Sequence, residues 1–437
     1  MMYKPFIKIV FIALLAMNLI AVAETYYVRL DGSNNNSGTE NSSGGAWKTL
    51  SYAFSKLEGG DHLYIADGLY ETNELILKNV HGTEENPTVI SAINPLGAVI
   101  TLQGTPEWGN TISIQSCSYV IVEDLEVYQS APTKGTGIET SKKSHHITVR
   151  NNYVHDCGCN GISARGSDYV TVEKNIVHDN AKRSEWNCSG ISYFLPTVYD
   201  QERGFHHIIR QNIVFNNECR LPFKPGGFDT PTDGNGIILD LFNNKYDDNE
   251  GEPGGYTQAT LIENNLSFNN GGRGIHIFQS DNVTVRNNTT WHNLHVLSEY
   301  DKWKGDMESF ESRDLSIYNN LIVQNDAPDI GCYETDAGTG IEQRNVQNTP
   351  GSFELLQAYP NPFNPTTTIT FSCQNHVHVK ARVFNVNGQL ITTLVDEEKS
   401  PGQHTPMFDA HNLESGIYLL KVRAGGFEGI VKMTLVK

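Results

Sequence analysis

Basic residues are scarce. Lysine and arginine number 32 against 50 aspartates and glutamates, a formal net charge of −18. That balance excludes nucleic acid and anionic membrane as general partners. Beyond residue 23 no apolar run is long enough to cross a bilayer, so no transmembrane segment is expected. No Cys-x-x-Cys pair with zinc spacing occurs among the seven cysteines. Long helical periodicity is missing too. Leu50, Ala53, Phe54 and Leu57 alone repeat at helical spacing, before Gly59-Gly60, and predict one short amphipathic helix.

What remains is a chain rich in Gly, Asn, Thr and Tyr, which favours turn-rich β structure. Residues 1–23 read as a secretory signal: Lys4 and Lys8, an apolar run from Ile9 to Val22, then Ala21-Val22-Ala23. From about residue 110 the chain repeats itself: VTVRNNYVHDC, VTVEKNIVHDN, HIIRQNIVFNN, TLIENNLSFNN, VTVRNNTTWHN, LSIYNNLIVQN. One column holds Asn152, Asn175, Asn212, Asn265, Asn288 and Asn320; another holds Gly137, Gly161, Gly190, Gly236 and Gly274. Where nothing is inserted the period is about 23 residues, within the range of solenoids. Each unit is one coil of a right-handed parallel β-helix, and the asparagines predict an amide ladder from coil to coil. The short helix ahead of the strands is expected to cap the open end of the solenoid. Cys159 and Cys188 share a place in successive coils, leaving a disulfide or a buried thiol stack as equal alternatives.

Four inserted loops interrupt the coils, at about 194–207, 219–234, 242–258 and 294–304. Solenoid insertions gather on one face, often the binding face. Alternation along each strand predicts two outward columns. The first reads Glu139, Ser163, Ser192, Ile238, His276, Glu308; the second reads Ser141, Arg165, Phe194, Asp240, Phe278, Phe310. Asp240, His276 and Glu308 then cluster on three consecutive coils with Arg273 beside them. A histidine between carboxylates suits general acid–base chemistry or a metal; a solvated polar patch is the plainer alternative. Arg165 and Arg273 are the further candidate bases, with a salt bridge to Glu139 or a plain surface position as the alternatives for Arg165. Trp186, Tyr193, Phe194, Tyr199 and Trp303 are candidates to stack on sugar rings, and loop anchors otherwise. Asp229 with Asp233, and Asp247 with Asp248, offer the hard oxygen ligands that suit Ca²⁺, or else form solvated acidic loops.

After a polar linker at 336–352 the strands TTTITFSC, HVKARVFNV, QLITTLV, GIYLLKVRA and GIVKMTLVK predict a small immunoglobulin-like β-sandwich over 353–437. Its stretches YPNPFNPTTTI (359–369), VFNVNGQLI (383–391) and ESGIYLLKV (414–422) resemble the C-terminal sorting domain of the type IX secretion system. The resemblance implies passage across the outer membrane, then release or surface attachment, with the type IX machinery as partner. Residues 24–335, entered by TYYVRLDGSNNNSGT, WKTLSYAF and GDHLYIADGLY, are similar to the pectate-lyase-like β-helix superfamily. The order GNGIILD, GRGIHIF, VRNNTTWHN is similar to that of family 9 pectate lyases. The pattern departs where it matters: Ile238 stands at that family's lysine, and its calcium aspartates are unmatched in SGISYF (189–194).

The fold expected is therefore all-β, a right-handed parallel β-helix followed by a sandwich, in an exported or surface-bound monomer. The activity expected first is a polysaccharide lyase cleaving a uronate polymer by β-elimination. A glycoside hydrolase, with Asp240 and either Glu308 or Asp233 as its two carboxylates, is the alternative. A non-catalytic polysaccharide-binding protein is the third reading, because the fold hosts all three.

Overall fold

In the computed structural model, residues 23–104, 109–131, 133–244, 251–296, 305–323 and 353–435 are described, apart from 360–362, 374, 386–389, 414, 415, 425 and 426. Strands recur in the order sheet A, sheet B, sheet C, and each sheet is parallel throughout. Sheet A has ten strands, from Thr25–Val28 to Ser316–Tyr318. Sheet B has nine, from Gly68–Thr72 to Leu321–Val323, and sheet C eight, from Leu75–Lys78 to Met307–Phe310. Every strand pairs in register with its counterpart one coil away, as in Ile191–Phe194 against Ile237–Asp240. The chain is thus the right-handed parallel β-helix that the repeats predict. Its inward Val, Ile and Leu side chains form one continuous cluster from Val28 to Met307.

The corner between sheets A and B is tight. Only Asn151 and Asn152 separate Arg150 from Tyr153, and the same two-residue turn recurs in later coils. Its first residue takes a left-handed conformation (Asn151 φ 57°, Asn264 φ 56°, Asn287 φ 56°), which asparagine tolerates better than most residues. Its second is the ladder asparagine. Asn152 donates through its backbone and side-chain N–H groups to Asn175, Asn175 to Asn212, Asn212 to Asn265, Asn265 to Asn288, and Asn288 to Asn320. Glycine precedes five of the eight sheet C strands, from Gly137 to Gly274, because backbones crowd there. A Cβ on Gly190 would stand 2.7 Å from Val214 Cγ1 and 2.8 Å from the carbonyl oxygen of Gly236.

The outer face of sheet A carries a charge ladder. Glu123, Arg150, Glu173, Arg210, Glu263 and Arg286 alternate in sign over successive coils. The arginines pair with the preceding glutamates at 2.6–2.7 Å.

The predicted helix is present as Leu50–Phe54, with Thr49 as its N-cap and Leu50, Ala53 and Phe54 buried. Cys159 and Cys188 form a disulfide across adjacent coils, Cα to Cα 5.1 Å. Cys117, Cys157, Cys219 and Cys373 are buried thiols. In the C-terminal module two four-stranded antiparallel sheets share a hydrophobic cluster that includes Ile369, Phe371, Val383, Leu420 and Met433. The segment 1–22 and the linker lie outside the described residues, as do Trp303, Asp247 and Asp248.

Candidate active site

The long connections, the four insertions and 179–190, all flank one sheet. The loops 195–204 and 241–258 join sheet C to sheet A; 179–190, 216–236 and 292–306 join sheet B to sheet C. The A-to-B corners receive none. Sheet C is therefore the floor of a groove with a loop wall along each edge.

The two outward columns of that floor fall as alternation predicts. Glu139, Ser163, Ser192, Ile238, His276 and Glu308 are in register, and so are Arg165, Phe194, Asp240, Phe278 and Phe310. Their exposures differ sharply. In the first column Ser163, Ser192, Ile238 and His276 are all buried, His276 to 3%. The loop 216–236 folds towards this edge: the carbonyl of Thr232 accepts a hydrogen bond from Arg273 Nη1, and Asp233 is buried. The second column stays open along the groove, with Arg165 and Phe310 exposed and Phe194, Asp240 and Phe278 half-buried.

Arg273 is wholly buried and donates through Nε to Glu308. Its backbone N–H donates to the side-chain oxygen of Asn235 at 2.9 Å, and Asn235 Nδ2 donates to Asp233 at 2.8 Å. One chain of contacts thus fixes Glu308, Arg273, Asn235 and Asp233. Burial raises the pKa of Asp233, opposed by the charge of Arg273 and the bond from Asn235. Asp240 is pushed well above the usual carboxylate range, first by burial and then by the charge of Asp233. Its neighbours one coil either way are the rings of Phe194 and Phe278, which stabilise no negative charge. His276 is driven well below the ordinary imidazole value by burial and then by Arg273. Neither of its ring nitrogens has a hydrogen-bond partner among the described residues. The centre of the groove therefore holds a proton-retaining carboxyl, a second carboxyl fixed by hydrogen bonds, and a neutral histidine.

Several expected roles change. Tyr193 faces inward, 1% exposed, and its hydroxyl donates to the carbonyl of Val170 at 3.1 Å. It alternates with Ser192 and Phe194 and belongs to the core, so it stacks on no sugar. Arg273 is locked by its ion pair with Glu308 and is not placed as a base. Arg165 is exposed and lies over the Phe194 ring, 5.3 Å from its centroid, two coils from Asp240. Tyr199 stacks on His145 at 3.6 Å, at the sheet A side of its loop. Trp186 is exposed on the opposite wall, 6.4 Å from Phe223.

Asp229 and Asp233 were expected to share a cation, and their surroundings differ. The side chain of Asp229 is 94% exposed and paired with Lys224 at 2.6 Å, whereas Asp233 is buried beside Arg273. Among the described residues no group of three or more His, Cys, Asp or Glu side chains is placed to hold a metal ion.

Sequence reading missed Asn235, which positions Asp233, although it stands inside the Asp-Gly-Asn-Gly stretch. It also missed Phe278 and Phe310 as an aromatic pair in the groove, stacked at 5.3 Å with 7° between planes. A second amide ladder went unread as well. Asn180 donates to Asn217, Asn217 to Asn270, Asn270 to Asn293, and Asn293 to Asp306, along the B-to-C edge of the groove.

Comparison with known proteins adds the following. Residues 100–252 match the family model described as right handed beta helix region, and residues 357–437 match that of the secretion system C-terminal sorting domain. No curated protein matches the chain. Among solved structures the chain is similar to pectate lyase Pel9A, at 16% identity and a TM-score of 0.39, covering 69% of this chain and 79% of that one. It is also similar to an alginate lyase from Paenibacillus sp. str. FPU-7, at 13% identity and a TM-score of 0.35, covering 63% and 95%. A third is the GH136 lacto-N-biosidase from Eubacterium ramulus, at 16% identity and a TM-score of 0.33, covering 69% and 68%. The sorting domain assigns the chain to type IX secretion, towards the cell surface or the extracellular space. The chain is a right-handed β-helix protein that carries a C-terminal secretion sorting domain.

Proposed function

We propose that this protein is a secreted carbohydrate-active enzyme that hydrolyses glycosidic bonds in the groove over sheet C, with Asp240 and Asp233 as its two carboxyl groups. The observation that carries the reading is the placement of Asp240 in the outward column of sheet C between Phe194 and Phe278, with Asp233 buried at the adjoining edge; burial first, and then the nearby Asp233, raises the proton affinity of Asp240. Glycoside hydrolysis needs one carboxyl that holds a proton for the leaving oxygen and a second that is ionised. Asp240, between two phenylalanines on the open column, suits the acid. Burial raises Asp233 too, but the charge of Arg273 and the bond from Asn235 oppose that rise, and the ionised role is assigned to it. Phe194, Phe278 and Phe310 line the same column and supply apolar surface for sugar rings.

The lyase reading keeps one observation in its favour. His276 is neutral and buried, with both nitrogens unengaged among the described residues, and such an imidazole can accept a proton α to a carboxylate. Calcium is the cofactor that reading proposes, with Asp247 and Asp248 as a candidate ligand group separate from Asp233. Against it, Ile238 stands where a lysine would serve and Arg273 is bound to Glu308.

The two reactions leave different products. The purified full chain is incubated with neutral and uronate polysaccharides, with calcium and with chelator, while reducing ends and absorbance near 235 nm are followed. Reducing ends without absorbance, lost in Asp240→Asn, are the expected result. Absorbance that survives in Asp240→Asn and disappears in His276→Ala would replace hydrolysis by elimination.

A further inference from the structure

We propose that the Cys159–Cys188 disulfide positions Asp233 and makes the site redox-dependent, so that hydrolysis is switched on by the oxidising compartments the chain meets on export. The inference rests on the hydrolase reading for the role of Asp233 and adds how that site is regulated.

The bond lies at the edge of the groove, where no strand supports the chain. Cys188 stands near the end of the connection 179–190, and its coil joins sheet C only at Ile191–Phe194. The disulfide fastens Cys188 to Cys159 on the preceding coil, 29 residues earlier in sequence.

The segment that carries Asp233 leans on this fixed point. The carbonyl of Cys188 accepts from the backbone N–H of Gly234 at 2.9 Å, and the carbonyl of Asn235 accepts from that of Gly190 at 2.9 Å. Asn235 Nδ2 lies 3.3 Å from Ser189 Oγ and donates to Asp233 Oδ1 at 2.8 Å. Thr232 meets Asn187 through its hydroxyl. Residues 187–190 therefore touch Thr232, Gly234 and Asn235, and Asn235 passes the constraint to the Asp233 carboxyl. The opposite flank has its own ties, since Gly272 donates to Gly234 and Gly236 to Arg273, both at 2.8 Å. Reduction thus frees one flank of 232–236 and leaves the other attached, which loosens the carboxyl without unravelling the coil. A misplacement of about 1 Å is enough to cost a catalytic step roughly 100-fold.

Closing the bond takes two electrons and two protons from the two thiols. A disulfide-bearing oxidoreductase of the oxidising compartment accepts them and becomes a dithiol. In reduction, a thiolate attacks Cys159 Sγ, the half-buried member, and Cys188, which is fully buried, leaves and takes up a proton. A second thiol of the reductant then resolves the mixed disulfide. Cys219, whose thiol donates to the Cys188 carbonyl at 3.3 Å, does not compete: burial pushes its pKa far up, and the thiol is no nucleophile.

The test compares the full chain, oxidised and reduced with dithiothreitol, with the double variant Cys159→Ala, Cys188→Ala. Amide hydrogen exchange is read by mass spectrometry, and kcat and KM on a polysaccharide from which the oxidised chain releases reducing ends. On reduction, exchange at 232–236 is expected to rise about tenfold or more while sheet A stays protected. The kcat is expected to fall about 10–100-fold with KM nearly unchanged, because Phe194, Phe278 and Phe310 stand on paired strands. The double variant should match the reduced chain and ignore the reductant, and diamide should restore the reduced parent alone. Equal exchange at 232–236 in both redox states, or full kcat in the double variant, overturns the proposal. Protection lost across all three sheets also overturns it, since the bond would then support the fold and not the site. No reducing ends from the oxidised chain on any polysaccharide overturns hydrolysis, and exchange at 232–236 then decides by itself whether the disulfide holds this segment.

Discussion

Burial, and after it the nearby Asp233, raises the proton affinity of Asp240. Six residues separate them in sequence, and the chain uses that distance to place one on the B-to-C wall and the other on the groove floor. Asp240 lies between phenylalanines, while Asp233 faces Arg273 and accepts from Asn235. Burial raises both carboxyls, Asp240 the further, because Arg273 and Asn235 oppose the rise only at Asp233; the proposed division into acid and base rests on that difference.

The pH dependence of catalysis follows. Activity should rise as Asp233 ionises and fall as Asp240 loses its proton, giving a bell whose alkaline limb lies above the usual carboxylate range. Asp240→Asn should lower kcat by about 10²–10⁴-fold and remove that limb. Initial rates of reducing-end release across pH decide it; an unchanged alkaline limb in Asp240→Asn would exclude Asp240 as the acid.

Stability should move in the opposite direction. A carboxyl whose folded pKa is raised contributes stability fully below its unfolded pKa, and that contribution is lost as pH rises through the folded value. Asp240→Asn should therefore raise the melting temperature at pH 8 and change it little at pH 4. A variant less stable than the parent at pH 8 would contradict the raised pKa.

Arg273 presents the reverse case. It is wholly buried and paired with Glu308, and its charge offsets that of Asp233. Arg273→Met leaves Glu308 and Asp233 without a countercharge and is expected to cost about 3–5 kcal/mol. Glu308→Gln together with Arg273→Met should recover part of the loss. Urea denaturation of the single and double variants measures the coupling, and strict additivity would show that the pair contributes nothing jointly.

Much of this architecture is legible in the sequence, because alternation and the 23-residue repeat constrain every side chain at once. The column from Arg165 to Phe310 needs only the strand period and the Gly-Ile pairs for alignment. Burial is less legible. Whether an outward residue such as His276 or Ile238 meets water depends on how 216–236 folds, and a loop has no period to read. Asp233 looked like an exposed calcium ligand beside Asp229 for the same reason. Tyr193 was within reach, since the alternation that puts Ser192 and Phe194 outward puts it inward. The second amide ladder was also on the page, in the recurring final Asn of HDN, FNN and WHN, one column beyond the ladder that was recognised.

Acid should loosen the solenoid through a group in the core beneath the groove floor. His207 is fully buried; its Nδ1 accepts from the backbone N–H of Val170 at 3.3 Å, and burial lowers its pKa to about 4. A histidine with a lowered folded pKa contributes stability above its unfolded value, near 6.5, that is lost as pH falls through the folded one. The difference amounts to about 3 kcal/mol between pH 7 and pH 4. His207→Phe keeps a ring against Tyr193, Phe242 and Tyr256, which surround this side chain, and should flatten that part of the pH–stability curve. An unaltered slope would show that His207 is not the group that titrates.

The ladder asparagines should be costlier to lose than their size suggests. Asn212 accepts from the backbone and side-chain N–H groups of Asn175, and donates to the carbonyl of Val172 and to Asn265. Asn212→Ala strands buried donors and acceptors on both neighbouring coils, where no water reaches to replace the amide. Each such group costs about 1–3 kcal/mol, so a loss of roughly 3 kcal/mol or more is expected. Asn212→Asp keeps the acceptor but removes both donors and adds a buried charge, and should be no better tolerated. The exposed Asn35 at the N-terminal end, which makes a single backbone contact with Ser33, serves as the control, with Asn35→Ala expected within about 0.5 kcal/mol of the parent. Urea midpoints that place Asn212→Ala beside this control would remove the ladder as a source of stability, and leave the inward aliphatic column to hold the coils in register alone.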